Sequence, residues 1–100
     1  MVSRIYTIEE IRQVMRELSG KYDIAGAYLF GSYARGEATE SSDIDILVKG
    51  GEKFKASSIF SLGEDIRENT QKPVDIYEVR ELNQDTPFYN QVQSERVVLI

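Results

Sequence analysis

Residues 31–48 read GSYARGEATESSDIDILV and decide the fold. A short apolar run, Ile24–Phe30, stops abruptly at Gly31, as a buried strand does when it enters a turn. Ten residues separate Ser32 from the segment Asp43–Val48, which alternates carboxylates with branched apolar side chains. This alternation is typical of a strand with two different faces. The Gly-Ser turn therefore lies at the carboxyl end of one predicted strand, and the paired aspartates open the next. For these two ends to meet, the two strands must run antiparallel.

The rest of the chain predicts helices and two more strands around this pair. A crossover of about 25 residues that contains a helix lies between the second and third strands, and such a connection joins parallel neighbours. We therefore predict an α/β (α+β) fold over residues 1–100, a single domain with a small mixed sheet of three to four strands flanked by helices. The further elements are a helix capped at Thr7 and ending before Gly20, a helix over Ala56–Ile66, a strand over Pro73–Val79, a short helix from Thr86-Pro87 and an edge strand over Val97–Ile100.

Three carboxylates converge in this arrangement. The alternation of a strand directs Asp43 and Asp45 to the same face, and the parallel third strand brings Asp75 beside them. Two unit charges about 4 Å apart repel by about 4 kcal/mol at an effective dielectric of about 20, so a divalent cation would convert repulsion into coordination. The alternative is an edge strand whose acidic face is exposed to solvent. An isolated D-x-D sequence is most commonly of this kind.

The turn before the aspartates offers groups that bind phosphate. Gly31 permits close approach to the backbone, and Ser32 adds a hydroxyl beside exposed N–H groups. The alternative is a simple turn with a serine cap. Arg35 is a candidate contact to phosphate or to a partner, although an exposed loop arginine is commonly only solvated.

Composition narrows the class of site. The chain has no histidine and no cysteine, so imidazole and thiolate ligands are excluded and a metal would be held by oxygen atoms. Oxygen ligands favour magnesium or manganese. The net charge of −5 argues against direct binding of nucleic acid. No transmembrane span is predicted, and Met1–Tyr6 lacks the apolar core of a secretory signal, so we expect a cytoplasmic protein without a membrane partner.

The spacing of these residues resembles that of a known superfamily. Gly31-Ser32, ten residues and Asp43-Ile44-Asp45 are similar to the G-S-x10-D-x-D motif of DNA polymerase β-like nucleotidyltransferases, and within them to the minimal nucleotidyltransferases, or MNT proteins. The resemblance implies a nucleotidyltransferase fold in which Asp43 and Asp45 bind two Mg²⁺ ions, with Mn²⁺ as a substitute. It further implies that Asp75 completes the metal site and helps to deprotonate the attacking hydroxyl, and that Gly31-Ser32 holds the triphosphate of ATP.

The same resemblance implies a partner. MNT proteins commonly act as antitoxins to HEPN-domain ribonuclease toxins, and some transfer AMP from ATP to a tyrosine of the toxin. An enzyme of this kind is the first hypothesis. The second is an antitoxin that neutralises the toxin by binding alone, with a vestigial nucleotide site. The third is a transferase for a small molecule or RNA. The net negative charge and the lack of room for a second domain argue against this hypothesis.

Overall fold

Residues 4–100 are described by a computed structural model in which helices flank a mixed sheet. Met1–Ser3 lie outside the described residues. The predicted domain over residues 1–100 and the predicted lack of a secretory signal in Met1–Tyr6 both include these three residues. The elements are, in chain order, α1 (Ile8–Tyr22), β1 (Ile24–Phe30), α2 (Gly31–Ala34), β2 (Ile44–Gly50), α3 (Ser58–Thr70), β3 (Val74–Glu78), a 3-10 helix (Val79–Glu81), α4 (Pro87–Glu95) and β4 (Val97–Val98).

The sheet has the order β3-β2-β1-β4. β1 pairs with β2 and with β4 in antiparallel fashion, whereas β2 and β3 are parallel. The crossover from β2 to β3 runs through α3, which is the kind of connection that parallel neighbours require. The predicted α+β fold with a small mixed sheet is confirmed, together with the antiparallel first pair and the parallel third strand.

Helix α1 begins where the sequence predicts but ends later. The Thr7 hydroxyl accepts from the Glu10 N–H while the Glu10 carboxylate accepts from the Thr7 N–H, which is a complete capping box. The predicted end before Gly20 is wrong, because the helix continues to Tyr22. Gly20 is exposed, so it only lowers helix propensity, by about 1 kcal/mol relative to alanine. Asp23 ends the helix, with a left-handed φ of 53°.

The main core lies on one face of the sheet, against α1 and α3. Ile44, Ile46 and Val48 of β2 are fully buried there. Gly63 of α3 is also buried, and a Cβ atom at this position would lie 3.3 Å from Ile76 Cγ2 on β3. Close packing of helix on strand therefore explains a glycine that would otherwise only weaken the helix.

The opposite face of the sheet carries a smaller cluster. Phe30 of β1 and Leu47 of β2 pack with Val92 of α4. Helix α4 starts as predicted, with Thr86 as N-cap and Pro87 at the first turn. Helix α4 does not fully cover this face, and Asp45, at the end of the face, is only half-buried. Within residues 4–100 there is no helix with the length and apolar character needed to cross a membrane.

Candidate functional site

The three predicted carboxylates lie at one end of the central strands. Asp45 and Asp75 are register partners on the parallel strands β2 and β3, so their side chains leave the same face of the sheet. Asp43 lies just before β2, two residues from Asp45. Asp43 and Asp75 are exposed, and Asp45 is half-buried. The fold thus brings Asp75 to two residues that lie 32 and 30 positions before it in the sequence.

The environment of Asp45 disfavours its negative charge. Its pKa is raised from 3.8 to about 6, first by burial and then by the negative charges of Asp75 and Asp43. Arg35 acts in the opposite direction, but more weakly. The negative charges of Asp43 and Asp75 therefore act directly on the Asp45 carboxylate. A site that concentrates like charges in this way is suited to a cation.

The Gly31 turn is built around Asp45. Gly31 has a φ of +74°, which side chains rarely tolerate, and a Cβ atom there would overlap the Asp45 Oδ2 atom and lie 3.1 Å from its Cγ. Phe30, the residue before the turn, is the register partner of Asp45. Ser32 follows within α2 and is half-buried. Glycine is thus required both by backbone conformation and by the closeness of the carboxylate.

Arg35 lies at the end of α2 and pairs with two glutamates. Its Nη1 atom is 3.2 Å from both carboxylate oxygens of Glu95, and its Nε atom is 3.4 Å from Glu37 Oε2. The pKa of Arg35 is raised, chiefly by the hydrogen bond to Glu95. Glu95 Oε1 also accepts a hydrogen bond from the Gly31 N–H, at 3.0 Å. Glu95 thus links Arg35 to the Gly31 turn.

Aromatic rings adjoin the carboxylates on the same face. The rings of Phe30, Tyr77 and Phe88 lie 5.8–6.1 Å apart between centroids, in tilted and edge-to-face arrangements. Tyr77 follows Asp75 by two positions on β3, and burial together with the charges of Asp75 and Asp45 raises its pKa. Tyr77 and Phe88 are 37% and 43% exposed, so this aromatic cluster is open to a ligand or partner.

Asp75 also faces a cleft at the sheet edge. The cleft has a volume of about 220 Å³ and lies between α3 and β3, where Arg67 Nη2 donates to the Val74 carbonyl at 2.9 Å. Phe60, which is 75% exposed, forms part of its wall. Asp75 is therefore accessible both from the aromatic cluster and from this cleft.

The chemistry of the donor set fits a hard divalent cation. All three acidic side chains offer only oxygen, and the Asp45 carboxylate meets the repulsion that a cation would relieve. Within residues 4–100, no three Asp, Glu, His or Cys side chains are grouped closely enough to hold a metal ion. The fit therefore rests on the kind of ligand atom and on the repulsion at Asp45.

Two residues of this site, Tyr77 and Glu95, are not among those predicted from the sequence. Tyr77 could have been found, because the alternation that places Asp75 on this face places Tyr77 there too. Glu95 carries no local signal. Its contact with Gly31 spans 64 residues and depends on where α4 packs.

Comparison with known sequences gives a consistent result. The family model described as "Polymerase beta, Nucleotidyltransferase" matches residues 9–100. A relative from Methanocaldococcus jannaschii, named "Putative protein adenylyltransferase", is 42% identical over 73 residues, which span 69% of this chain and 84% of the relative. The chain spans about half the length of other curated relatives that it matches, for example 47% of one that is 51% identical over 47 residues.

Solved structures share the architecture. One described as "putative minimal nucleotidyltransferase" has a TM-score of 0.74 and 29% identity, with 92% of this chain and 95% of that chain covered. A complex of a tri-AMPylated HEPN toxin from Shewanella oneidensis with an MNT antitoxin gives a TM-score of 0.64 at 22% identity, with 93% of this chain and 68% of that chain covered. The second likeness shows a common fold.

Proposed function

Because the chain belongs to the polymerase β nucleotidyltransferase family, we propose that it transfers AMP from ATP to a hydroxyl group of a partner protein. The partner is a HEPN-domain toxin, the acceptor is a tyrosine, and the modification makes this chain an antitoxin. The observation that carries the proposal is the register of Asp45 with Asp75, beside the Gly31 turn. A relative named as a protein adenylyltransferase and a structural neighbour that contains a tri-AMPylated toxin support it.

The proposed reaction is a displacement at the α-phosphorus of ATP. The acceptor oxygen attacks this phosphorus, the bond to the bridging oxygen breaks, and pyrophosphate leaves. Asp43, Asp45 and Asp75 would hold two Mg²⁺ ions, which supply positive charge for the triphosphate and for the acceptor oxygen. Asp75 is exposed, so it is placed to meet an acceptor that arrives from outside and to accept its proton.

The nucleotide would lie against the Gly31 turn. The Gly31 N–H and the Ser32 hydroxyl are donors suited to phosphate oxygens, and the Arg35 guanidinium adds a fixed positive charge. A substituent at Gly31 would push against the Asp45 carboxylate, so the glycine keeps phosphate-binding and acidic groups close together. This arrangement orients the triphosphate relative to the carboxylates.

Exposed aromatic side chains support a protein as the acceptor. Phe60 and Tyr77 both line the cleft that contains Asp75, and the exposed Phe88 ring packs against Tyr77. Aromatic side chains are enriched where proteins bind one another. A protein that covers these rings would carry its hydroxyl group to Asp75.

The test removes two carboxylates and follows the transfer of label. The double variant Asp43→Asn with Asp45→Asn should fold but transfer no label from α-labelled ATP to a cognate HEPN-domain toxin, because the cation-binding charge is lost. A matched control, Glu68→Gln with Asp85→Asn, removes two exposed charges outside the site and should retain transfer. Continued labelling by the first variant would refute the site.

Neutralisation by binding alone is the second candidate, and the exposed aromatic side chains favour it. Under this alternative, the double variant at Asp43 and Asp45 would still protect cells that express the toxin. Under the enzymatic proposal, protection should fall together with transfer. Growth of cells that co-express toxin and variant separates the two.

A further inference from the structure

The phosphate-binding groups of the proposed site already hold an anion that belongs to the chain. The Glu95 carboxylate, at the end of α4, accepts from the Gly31 N–H at 3.0 Å and from Arg35 Nη1 at 3.2 Å. Its side chain is only 16% exposed. A largely buried carboxylate that accepts from a backbone N–H and a guanidinium has the same partners that a phosphate oxygen of a nucleotide would have.

We propose that Glu95 is an internal competitor of the nucleotide, whose carboxylate occupies the position that a phosphate group takes at the Gly31 turn. This inference rests on the proposed function, because it assumes that the turn binds a triphosphate. Glu95 then sets nucleotide affinity: ATP binds only as the glutamate leaves Gly31 and Arg35, and the glutamate returns when pyrophosphate departs.

Competition follows from the chemistry of the groups. The single N–H of Gly31 cannot form a full hydrogen bond to both acceptors, and two anions on the same guanidinium repel each other. Departure requires only rotation of the Glu95 side chain. The backbone of α4 can stay in place, because residues on both sides of Glu95 are packed. Val92 lies in the small cluster with Phe30 and Leu47, and Arg96 Cζ lies 4.4 Å from the centroid of the Tyr28 ring.

A positioning role for Glu95 makes the opposite prediction. If Glu95 remained in place and held Arg35 and the turn ready for the nucleotide, loss of its charge would weaken binding. In the competitor role, loss of the charge strengthens binding. The sign of one measured change therefore distinguishes the two roles.

The chain offers a matched control for this measurement. Glu37 contacts the same arginine, at 3.4 Å, but is 65% exposed and has no hydrogen bond to Gly31. Glu95→Gln and Glu37→Gln each remove one negative charge beside Arg35. Glutamine keeps the size of the side chain and a neutral acceptor, so the turn retains its packing.

Calorimetric titration with a nonhydrolysable ATP analogue and Mg²⁺ gives the answer. We expect Glu95→Gln to bind about 5- to 10-fold more tightly than Glu37→Gln, the size of one charged hydrogen bond partly replaced by a neutral one. The Gly31 amide resonance of Glu95→Gln should also move toward its position in the nucleotide-bound wild type. Equal or weaker binding by Glu95→Gln, with a wild type that binds, overturns this inference and leaves the proposed function standing. Absence of binding by the wild type and both variants overturns both.

Discussion

The two faces of β2 differ in what they do for the protein. Ile46 points into the main core and is fully buried, whereas its neighbour Asp45 points into the candidate site, where burial and two other carboxylates oppose its charge. One face supplies stability through apolar burial. The other lowers stability to keep charge available for a ligand. A single strand can carry both tasks because alternation separates them by one residue.

The largest effect should come from the core face. Ile46→Ala should lower the free energy of unfolding by about 2–5 kcal/mol, because packed neighbours from α1, α3 and the adjacent strands leave a cavity that cannot collapse. Leu47→Ala is the control on the opposite face. Leu47 is equally buried, but only a small cluster under α4 surrounds it, so its loss should lie at the low end of the same range. Chemical denaturation measures both, and an equal or larger loss at Leu47 would contradict the comparison.

Substitution of Asp45 on the site face should raise the free energy of unfolding, whereas substitution of Ile46 lowers it. The folded pKa of Asp45 lies above its unfolded value of 3.8, so its contribution to stability is complete below pH of about 4 and is lost as the pH rises through about 6. Asp45→Asn abolishes this dependence. At pH 7 the variant should be more stable than the wild type by about 1–3 kcal/mol, since each pKa unit corresponds to about 1.4 kcal/mol and partial exposure weakens the effect.

Denaturation of both proteins between pH 4 and 8 checks this prediction. Other ionisable groups are common to the two proteins, so the difference between the curves isolates position 45. Mg²⁺ added at pH 7 should narrow the difference, because it stabilises the clustered carboxylates of the wild type. A difference that does not change with pH would show that Asp45 carries no electrostatic penalty.

The sheet and part of the candidate site could be predicted from the sequence. Alternation in Asp43–Val48 fixes which residues share a face, and the crossover length fixes the parallel third strand, so the sheet and the meeting of Asp45 with Asp75 follow from local rules. The family resemblance is confirmed by the match over residues 9–100. The predicted end of α1 before Gly20 is wrong, because an exposed glycine is tolerated within a helix. Glu95 could not be assigned, because its partners depend on the packing of α4.

The smallest effect concerns the turn that joins the site face to β1. Gly31 and Gly36 have nearly the same positive φ, +74° and +73°, but a Cβ atom at Gly31 would overlap the Asp45 carboxylate. At Gly36, no atom of residues 4–100 outside the adjacent residues would lie within 4 Å of such a Cβ atom. Replacement of either by alanine should cost about 1 kcal/mol or more for the backbone conformation alone. Gly31→Ala should cost about 1 kcal/mol beyond Gly36→Ala, because Asp45 must rotate away. Thermal unfolding of the two variants measures the difference. If it vanished in the background of Asp45→Ala, the overlap with the carboxylate would be its cause, and if it persisted there, the turn would be restrained by something other than Asp45.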